Sequence, residues 1–286
     1  MIASEVASPP GNRQLRVMGI LNVTPDSFSD GGRFAATDAA IKHGLALRDS
    51  GADLVDVGGE STRPGAHRVE AAVELARVLP VISVLAAAGV SCSVDTTRAE
   101  VAEAAVAAGA VVINDVSGGL ADPRMAEVVA DCGLPWVLMH WRAPSLTMSQ
   151  HSVYRDVVVD VGHELQLRVD AALSAGVDVE QLIIDPGFGF AKNAEHNWLL
   201  LQRLPELQAM GLPLLVGASR KRFLPPSGHP GGSTADLAAR DVSTAAITAL
   251  VAALGVWGVR VHDAEGSVRA AEVVSAMHDA KPVGQR

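Results

Sequence analysis

Residues 90–115 read VSCSVDTTRAEVAEAAVAAGAVVIND. The apolar run 90–94 and the apolar run 111–114 predict two short strands, and the Ala- and Val-rich stretch 97–108 between them predicts a helix. Strands that are apolar on both faces are typical of a sheet that is covered by helices on its faces. A helix between two such strands lets the chain cross over and start the second strand in the same direction. The segment therefore predicts a βαβ unit with parallel strands.

The same pattern continues over the chain in both directions. Short apolar runs predict strands at 16–21, 53–57, 90–94, 111–114, 135–139, 182–185, 213–217 and 259–261. Helical patterns cover 36–49, 69–88, 97–108, 123–132, 155–175, 194–209, 240–254 and 264–278. Eight such units in 286 residues predict an α/β fold, the (β/α)8 TIM barrel, as a single domain. A doubly wound sheet would be expected to carry GxGxxG after its first strand, where this chain has NVTPDSFSDGG instead.

We expect the barrel to cover residues 15–280, between a flexible N-terminal lead-in (1–14) and a flexible C-terminal tail (281–286). The 18 residues 242–259 are uncharged, but two glycines divide them, so a helix, a turn and a strand are predicted there rather than a membrane span. Residues 223–237 are rich in Gly and Pro and predict a surface loop.

The net charge of −9 and the 3% aromatic content argue against a nucleic-acid or membrane partner. Two cysteines are too few for a disulfide framework, and the N-terminus lacks an apolar run long enough for a signal peptide. We therefore expect a cytoplasmic protein that acts on small molecules.

Polar residues follow every predicted strand. In a barrel of this kind, the residues after the carboxyl ends of the strands meet at one face and carry the chemistry. The residues at these positions are Asn22, Glu60 to Arg63, Asp95, Asn114, Asp115, His140, Asp185, Ser219 to Arg222, Arg260 and His262. Several interrupt apolar runs, and isolated polar groups at such places must be paired or bound to a ligand.

The charges in this set divide into two groups. The cationic group comprises Arg63, Lys221, Arg222, Arg260 and His262, and it favours a phosphate, pyrophosphate or carboxylate. Asp95, Asn114 and Asp185 are rich in acceptors and suit a heterocycle with several N–H donors, such as an aminopyrimidinone. A metal cage is disfavoured because the carboxylates lie on separate strands. A magnesium ion shared with phosphates stays open, because it needs only one or two protein oxygens.

The motifs of the eight strand ends resemble a known family. In chain order they read DSFSDGG, GGESTRPG, SVDT, NDVSG, LMHW, DPGFGFAK, VGASRKRF and VRVHD, within residues 16–263. Together they resemble the dihydropteroate synthases, the sulfonamide targets of folate biosynthesis, and the LMHWRA and GASRKRFL motifs are most similar to actinobacterial members. Ala191 stands where many relatives have glycine.

The resemblance implies a transferase that joins 6-hydroxymethyl-7,8-dihydropterin pyrophosphate to p-aminobenzoate, giving 7,8-dihydropteroate and pyrophosphate. It also implies a Mg²⁺ cofactor, an SN1-like loss of pyrophosphate and a homodimer. The loop with Ser29 and Asp30 would close over the site. By motif position, the pterin would be held by Asp95, Asn114, Met139, Asp185 and Lys221; p-aminobenzoate by Thr62, Pro64, Phe190 and Ser219; pyrophosphate by Asn22, Arg63, Arg260 and His262; and the metal by Asn22. The implied catalytic set is Asp95, Asp185, Lys221, Arg63, Arg260 and His262.

Two other functions share the pterin acceptors. A pterin-dependent methyltransferase of the same barrel type binds no pyrophosphate, so the cationic group argues against it. A pterin-binding paralogue without catalysis would be expected to have altered glycine-rich loops, whereas residues 24–32 and 58–66 are intact. Two residues also have structural interpretations: His140 as a packed, hydrogen-bonded core histidine, and Asp56 as a buried acid that accepts hydrogen bonds from loop amides.

Overall fold

The computed structural model of the chain describes residues 15–24, 32–61, 65, 68–144 and 146–280. These residues form eight parallel strands that alternate with helices, which confirms the predicted (β/α)8 barrel. The strands are β1 Arg16–Asn22, β2 Leu54–Gly58, β3 Cys92–Asp95, β4 Ala110–Asp115, β5 Trp136–Met139, β6 Leu182–Asp185, β7 Leu215–Val216 and β8 Gly258–Val261. The helices are α1 Gly32–Asp49, α2 Ala71–Ala87, α3 Ala99–Ala107, α4 Met125–Cys132, α5 Val157–Ser174, α6 Ala194–Gln202, α7 Leu204–Gln208, α8 Thr234–Ala253 and α9 Ala264–Asp279, with short 3-10 helices at Met148–His151 and Val179–Gln181.

Several predicted features fall on parts of the chain outside the described residues. They are the lead-in 1–14, the tail 281–286, Ser29 and Asp30 of the first glycine-rich loop, and Thr62, Arg63 and Pro64 of the second.

The strands form one sheet in the order β6-β5-β4-β3-β2-β1-β8-β7, and every ladder is parallel. A parallel bridge between Ile184 and Leu214 joins the two end strands. The N–H of Ile184 also donates to the carbonyl of Pro213 at 2.9 Å. These contacts close the sheet into a barrel and leave its carboxyl ends, which we call the mouth, facing one side.

Most helices lie within two residues of their predicted bounds, but three differ further. Helix α1 starts at Gly32 instead of 36. The segment predicted as one helix over 194–209 is two helices, α6 and α7, that meet at Arg203. Pro205 in the first turn of α7 explains the break, because proline lacks an N–H and restricts the residue before it. Helix α8 starts at Thr234 instead of 240, because the Ser233 hydroxyl caps it by accepting from the N–H of Asp236 at 3.2 Å.

The segment 242–259 has the predicted order of helix, turn and strand. Helix α8 ends at Ala253, Gly255 adopts a positive φ of 71°, and β8 starts at Gly258. Glycine is favoured at such a turn because the left-handed region penalises a Cβ atom. Among the described residues, no helix is long and apolar enough to cross a membrane.

Side chains alternate between the outside and the inside of the barrel along each strand. The outer cluster is the large apolar cluster that joins strand residues to buried helix residues such as Leu85, and it includes Val17, Leu21, Val55 and Val57. A second cluster fills the interior between the strands and consists of Met18, Leu54, Val112, Val137, Ile183, Leu215 and Trp257. Because the repeat is two residues, every second residue after this interior layer also points inward, toward the mouth.

Ala191 has a φ of 48°, in the left-handed region where side chains with a Cβ atom are strained. Its own carbonyl accepts a hydrogen bond from the Tyr154 hydroxyl at 3.0 Å, which holds the backbone in place. A glycine at this position would adopt the same backbone conformation without strain.

We expect Ala191→Gly to raise the free energy of unfolding by about 0.5–1 kcal/mol, because relief of left-handed strain outweighs the entropy of glycine. Urea denaturation measures the change. Ala175→Gly is the matched control, since Ala175 ends α5 with an ordinary φ of −84° and gains nothing from glycine. Equal losses of stability in the two variants would contradict the expectation.

Candidate active site

The inward-pointing residues at the mouth are the polar residues that the sequence places after the strands. In β3, Cys92 and Val94 pack in the outer cluster, so Ser93 and Asp95 face the interior. The same alternation turns Asn22, Asp56, Asn114, Met139 and Asp185 inward. Asn22 lies opposite Gly58 in the register, Gly58 opposite Asp95, and Asp95 opposite Asn114. One row of the barrel therefore brings together residues from four strands.

A guanidinium joins two buried carboxylates at the centre of this site. Arg260 of β8 donates from Nε to Oδ2 of Asp56 and from Nη2 to Oδ2 of Asp95, both at 2.6 Å. Asn114 donates from Nδ2 to the same oxygen of Asp56 at 3.0 Å. Burial opposes the charge of Arg260, but the two carboxylates raise its pKa above the ordinary value. The cluster thus links β2, β3, β4 and β8.

Asp95 is an acid whose pKa is raised to about 7. Burial is the largest cause, Arg260 acts in the opposite direction, and the charge of Asp56 raises the pKa further. Only 6% of the residue is exposed, so water does little to stabilise its charge. Asp95 is therefore poised to respond to a ligand that brings hydrogen-bond donors or positive charge.

Asp185 and Lys221 are two further charged groups of the mouth, and each affects the pKa of the other. Asp185 accepts a hydrogen bond from the N–H of Gly187 at 2.7 Å, and burial raises its pKa to about 6 against the opposing charge of Lys221. Burial and the charge of Arg260 lower the pKa of Lys221 to about 8. The Lys221 ammonium lies 4.2 Å from the ring centroid of Phe190, a cation–π distance. Phe190 in turn packs in one buried cluster with Met139.

The turn that carries Lys221 is held from helix α8. Arg220 has a positive φ of 55°, and its guanidinium makes two hydrogen bonds of 2.7 Å with the carboxylate of Asp241. Arg240 donates to the carbonyl oxygen of Lys221 at 2.9 Å and to Asp236 at 2.9 Å. The position of the Lys221 backbone therefore depends on three charged residues of α8.

Ser219 and His262 meet across the ends of β7 and β8. The Ser219 Oγ and the His262 Nδ1 are 2.9 Å apart, and the Ser219 hydroxyl also accepts the His262 backbone N–H at 3.1 Å. Both predicted site residues are thus in direct contact.

Three residues predicted near the mouth serve other roles. Glu60 accepts from the N–H of Val69 at 3.0 Å and pairs with Arg98. Asp115 closes its own turn, accepting from Ser117 and from the N–H of Gly119. Arg222 is exposed.

A hydrogen-bond network beneath the loop after β6 was not predicted from sequence. Lys192 donates to His140 Nδ1 at 2.9 Å and to the carbonyls of Gly187 and Phe190 at 3.1 Å each. The Nε2 of His140 is 3.0 Å from Glu164, which also binds Arg142. Burial lowers the pKa of Lys192 to about 7 and, together with the charge of Lys192, that of His140 to about 4. The network fixes the loop that bears Phe190.

The structural interpretation of His140 is confirmed, since the residue is 1% exposed and hydrogen-bonded at both ring nitrogens. The interpretation of Asp56 is wrong in its partners. The acid is buried, but its described hydrogen bonds come from Arg260 and Asn114 rather than from loop amides. A carboxylate inside the apolar run LVDVG was the signal for an interior pairing with a distant cation.

The described residues of the mouth offer few ligands for a metal ion. Among the residues that the structure describes, no three His, Cys, Asp or Glu side chains cluster as a metal site. Asn22, which is half-buried at the end of β1, offers an amide oxygen of the kind that Mg²⁺ accepts. One such ligand fits an ion that takes its other oxygens from a phosphate ligand and water.

Comparison with known proteins gives a consistent result. A family model described as "Pterin binding enzyme" matches residues 18–262. The dihydropteroate synthase of Mycobacterium leprae is 54% identical over 270 residues, which cover 94% of this chain and 95% of that protein.

Two solved structures share the fold. Dihydropteroate synthase of Xanthomonas albilineans with 4-aminobenzoic acid is 46% identical, with a TM-score of 0.84 and coverage of 93% of this chain and 94% of that chain. The same enzyme in complex with 7,8-dihydropteroate is 43% identical, with a TM-score of 0.82 and coverage of 95% and 96%. On the strength of the family match and of identities this high over nearly the whole chain, the protein belongs to the pterin-binding enzymes and, among them, to the dihydropteroate synthases, which are transferases.

Proposed function

We propose that the chain condenses 6-hydroxymethyl-7,8-dihydropterin pyrophosphate with p-aminobenzoate, releasing pyrophosphate and forming 7,8-dihydropteroate. The observation that carries the proposal is the meeting of Asp95, Asn114 and Asp185 at one mouth with the cations Lys221 and Arg260. The acceptors match the N–H edge of a pterin, and the cations match its pyrophosphate. The Xanthomonas relatives with 4-aminobenzoic acid and with 7,8-dihydropteroate support the two halves of the reaction.

The residues of the mouth account for the chemistry without a strong base. The amine of p-aminobenzoate is neutral and nucleophilic at pH 7, so the difficult event is departure of pyrophosphate with its negative charge. In an SN1-like path the C–O bond breaks first and leaves positive charge on the pterin methylene. The amine nitrogen then forms the new C–N bond and loses a proton. Asp95 and Asp185 would stabilise the positive charge, and Arg63, Arg260 and His262 the leaving group. Lys221 would hold the pterin ring.

Asn22 would hold the Mg²⁺ ion, with the remaining ligands supplied by pyrophosphate and water. When bound, the ion offsets the charge of the leaving group. Thr62, Pro64, Phe190 and Ser219 would line the p-aminobenzoate pocket, with Phe190 kept in place by the Lys192 network. The loop with Ser29 and Asp30 would cover the mouth.

Pyrophosphate release tests the function directly. We expect the chain to release pyrophosphate from the pterin substrate only when both p-aminobenzoate and Mg²⁺ are present, and to stop when the metal is chelated. A coupled pyrophosphate assay measures the rate, with each component omitted in turn as the control. Pterin binding in calorimetry without any release would instead identify a binding paralogue, and methyl transfer from methyltetrahydrofolate would identify the methyltransferase.

The pKa values of the mouth predict a bell-shaped pH profile for kcat/KM of the pterin substrate. Asp185 and Asp95 accept N–H bonds best when ionised, so activity rises with pH through their pKa values of about 6 and 7. Lys221 loses its charge near its pKa of about 8, so activity falls above that pH. Steady-state rates across the pH range measure the curve.

Lys221→Arg serves as the matched variant for that profile, because arginine stays charged and removes the basic limb while the acid limb remains. A wild-type profile that is level from about pH 6 to about pH 8 would contradict the assignment.

A homodimer is supported by apolar side chains on the last two helices. Val242 and Leu250 of α8 are 72% and 61% exposed, and Val273 and Met277 of α9 are 68% and 60% exposed. Leu250 and Leu254 also line a groove of about 380 Å³ with Trp198 on the outer surface, away from the mouth. Exposed apolar surface of this kind is typical of a subunit interface.

We expect light scattering to give twice the chain mass of 29.6 kDa at micromolar concentration, and Leu250→Glu to give the mass of a single chain. The introduced charge would be buried without a partner in the interface. Val159→Glu is the control, since Val159 is 58% exposed on α5 and its change leaves the surface of α8 and α9 intact. Wild-type protein that elutes and scatters as a monomer would remove the proposal of a dimer.

A further inference from the structure

Asp56 is a fully buried carboxylate one position below the mouth, on β2. Its neighbours Val55 and Val57 pack in the outer cluster, so its side chain enters the barrel interior. Oδ2 accepts from Arg260 at 2.6 Å and from Asn114 at 3.0 Å. Burial of a carboxylate is energetically costly even after relaxation, and a buried ion pair contributes little net stability. Stability alone therefore does not account for the two contacts, and a role in the neighbouring mouth does.

The contact between Asp56 and Asn114 determines which group Asn114 offers to a ligand. An ionised carboxylate only accepts hydrogen bonds, so the amide group of Asn114 must turn its Nδ2 toward Asp56. The carbonyl Oδ1 is then the group that Asn114 has left for a ligand. Because the residue is only 2% exposed, water cannot readily compensate for the opposite orientation. Asp56 thus makes Asn114 an acceptor.

The contact between Asp56 and Arg260 determines where the Arg260 guanidinium lies. Its Nε is held by Asp56 and its Nη2 by Asp95, two carboxylates on adjacent strands. Hydrogen bonds from two edges fix the plane of a guanidinium as well as its position. Without Asp56, Arg260 would retain the described contact with Asp95 alone and would be free to rotate about it.

We propose that Asp56 is a positioning residue of the pterin site, which acts by fixing Asn114 as a hydrogen-bond acceptor and by holding Arg260 against Asp95. The proposal rests on the proposed function and adds a residue that the sequence interpretation placed in a purely structural role. The second carboxylate oxygen of Asp56, Oδ1, has no hydrogen-bond partner among the described residues. The described contacts of the carboxylate are thus made through one oxygen, toward the mouth residues.

Asp56→Leu tests the proposal, because leucine has nearly the same shape as aspartate and removes both the charge and the oxygen that accepts the two hydrogen bonds. We expect kcat/KM for the pterin pyrophosphate to fall about 10- to 100-fold, the range for lost hydrogen bonds to a charged group, while KM for p-aminobenzoate changes less than about twofold. An equal loss for both substrates would overturn the assignment to the pterin side.

The pH profile supplies a readout that a loss of folding stability alone would not move. Loss of the Asp56 charge lowers the pKa of Asp95, so the acid limb of the profile should move to lower pH. The other groups that act on Asp95 remain in the variant: Arg260 of β8, Glu74 of α2, Asp115 of β4 and Lys221. An acid limb that stays in place would contradict the proposal.

Ser93→Ala is the matched control for folding. Ser93 lies directly opposite Asp56 in the register, is fully buried, and its hydroxyl has no hydrogen-bond partner among the described residues. We expect wild-type kinetics from it, with thermal unfolding measured for both variants. If both variants lost activity in proportion to their loss of stability, Asp56 would be structural only.

A binding measurement separates this proposal from the function on which it rests. Calorimetry with the pterin pyrophosphate alone, without p-aminobenzoate, should show the same 10- to 100-fold weakening in Asp56→Leu. A wild-type chain that binds the pterin but releases no pyrophosphate would refute the function and leave the positioning role to be judged by this affinity. Equal affinity in wild type and Asp56→Leu would refute the positioning role alone.

Discussion

A buried charge has to be compensated close by, and in this barrel Arg260 meets that requirement for two strands at once. Its guanidinium lies between Asp56 and Asp95, and the amide of Asn114 completes the group. The arrangement allows the interior to change from apolar residues in its middle layer to charged residues at the mouth. The position of the acceptors, and hence the kind of ligand that fits, depends on this cation.

Residues outside the strands hold the charged residues of the mouth in place. Helix α8 holds the turn of Lys221 through Arg240 and Asp241, and the Lys192 network holds the loop of Phe190. The side chains that would contact substrates are thus kept in place by a second group of buried hydrogen bonds and ion pairs. This agrees with the general need of active sites for rigid support around the reacting groups.

The strands and most site residues could be predicted from the sequence, because a parallel strand is a short apolar run and its polar end is easy to see. Asp95, Asn114 and Asp185 stand out for this reason. The partners of Asp56 could not be predicted, since Arg260 lies 204 positions away and pairing over that distance leaves no local pattern. The contacts of Lys192 and Glu164 with His140 could not be predicted for the same reason, since these residues lie 52 and 24 positions from it. The start of α8 was missed because its cap, Ser233, stands among Gly and Pro residues that resemble a loop.

The separation of 204 residues between Asp56 and Arg260 also has a consequence for biosynthesis. The acid leaves the ribosome early, whereas its cation belongs to the last strand of the barrel. A nascent chain with seven strands would carry Asp56 and Asp95 without Arg260, the cation that binds both. Contacts of such long range form late in folding. The charged mouth and the closed barrel must therefore be completed together, after translation of β8, so that a truncated chain is disfavoured by its own electrostatics as well as by its open sheet edge.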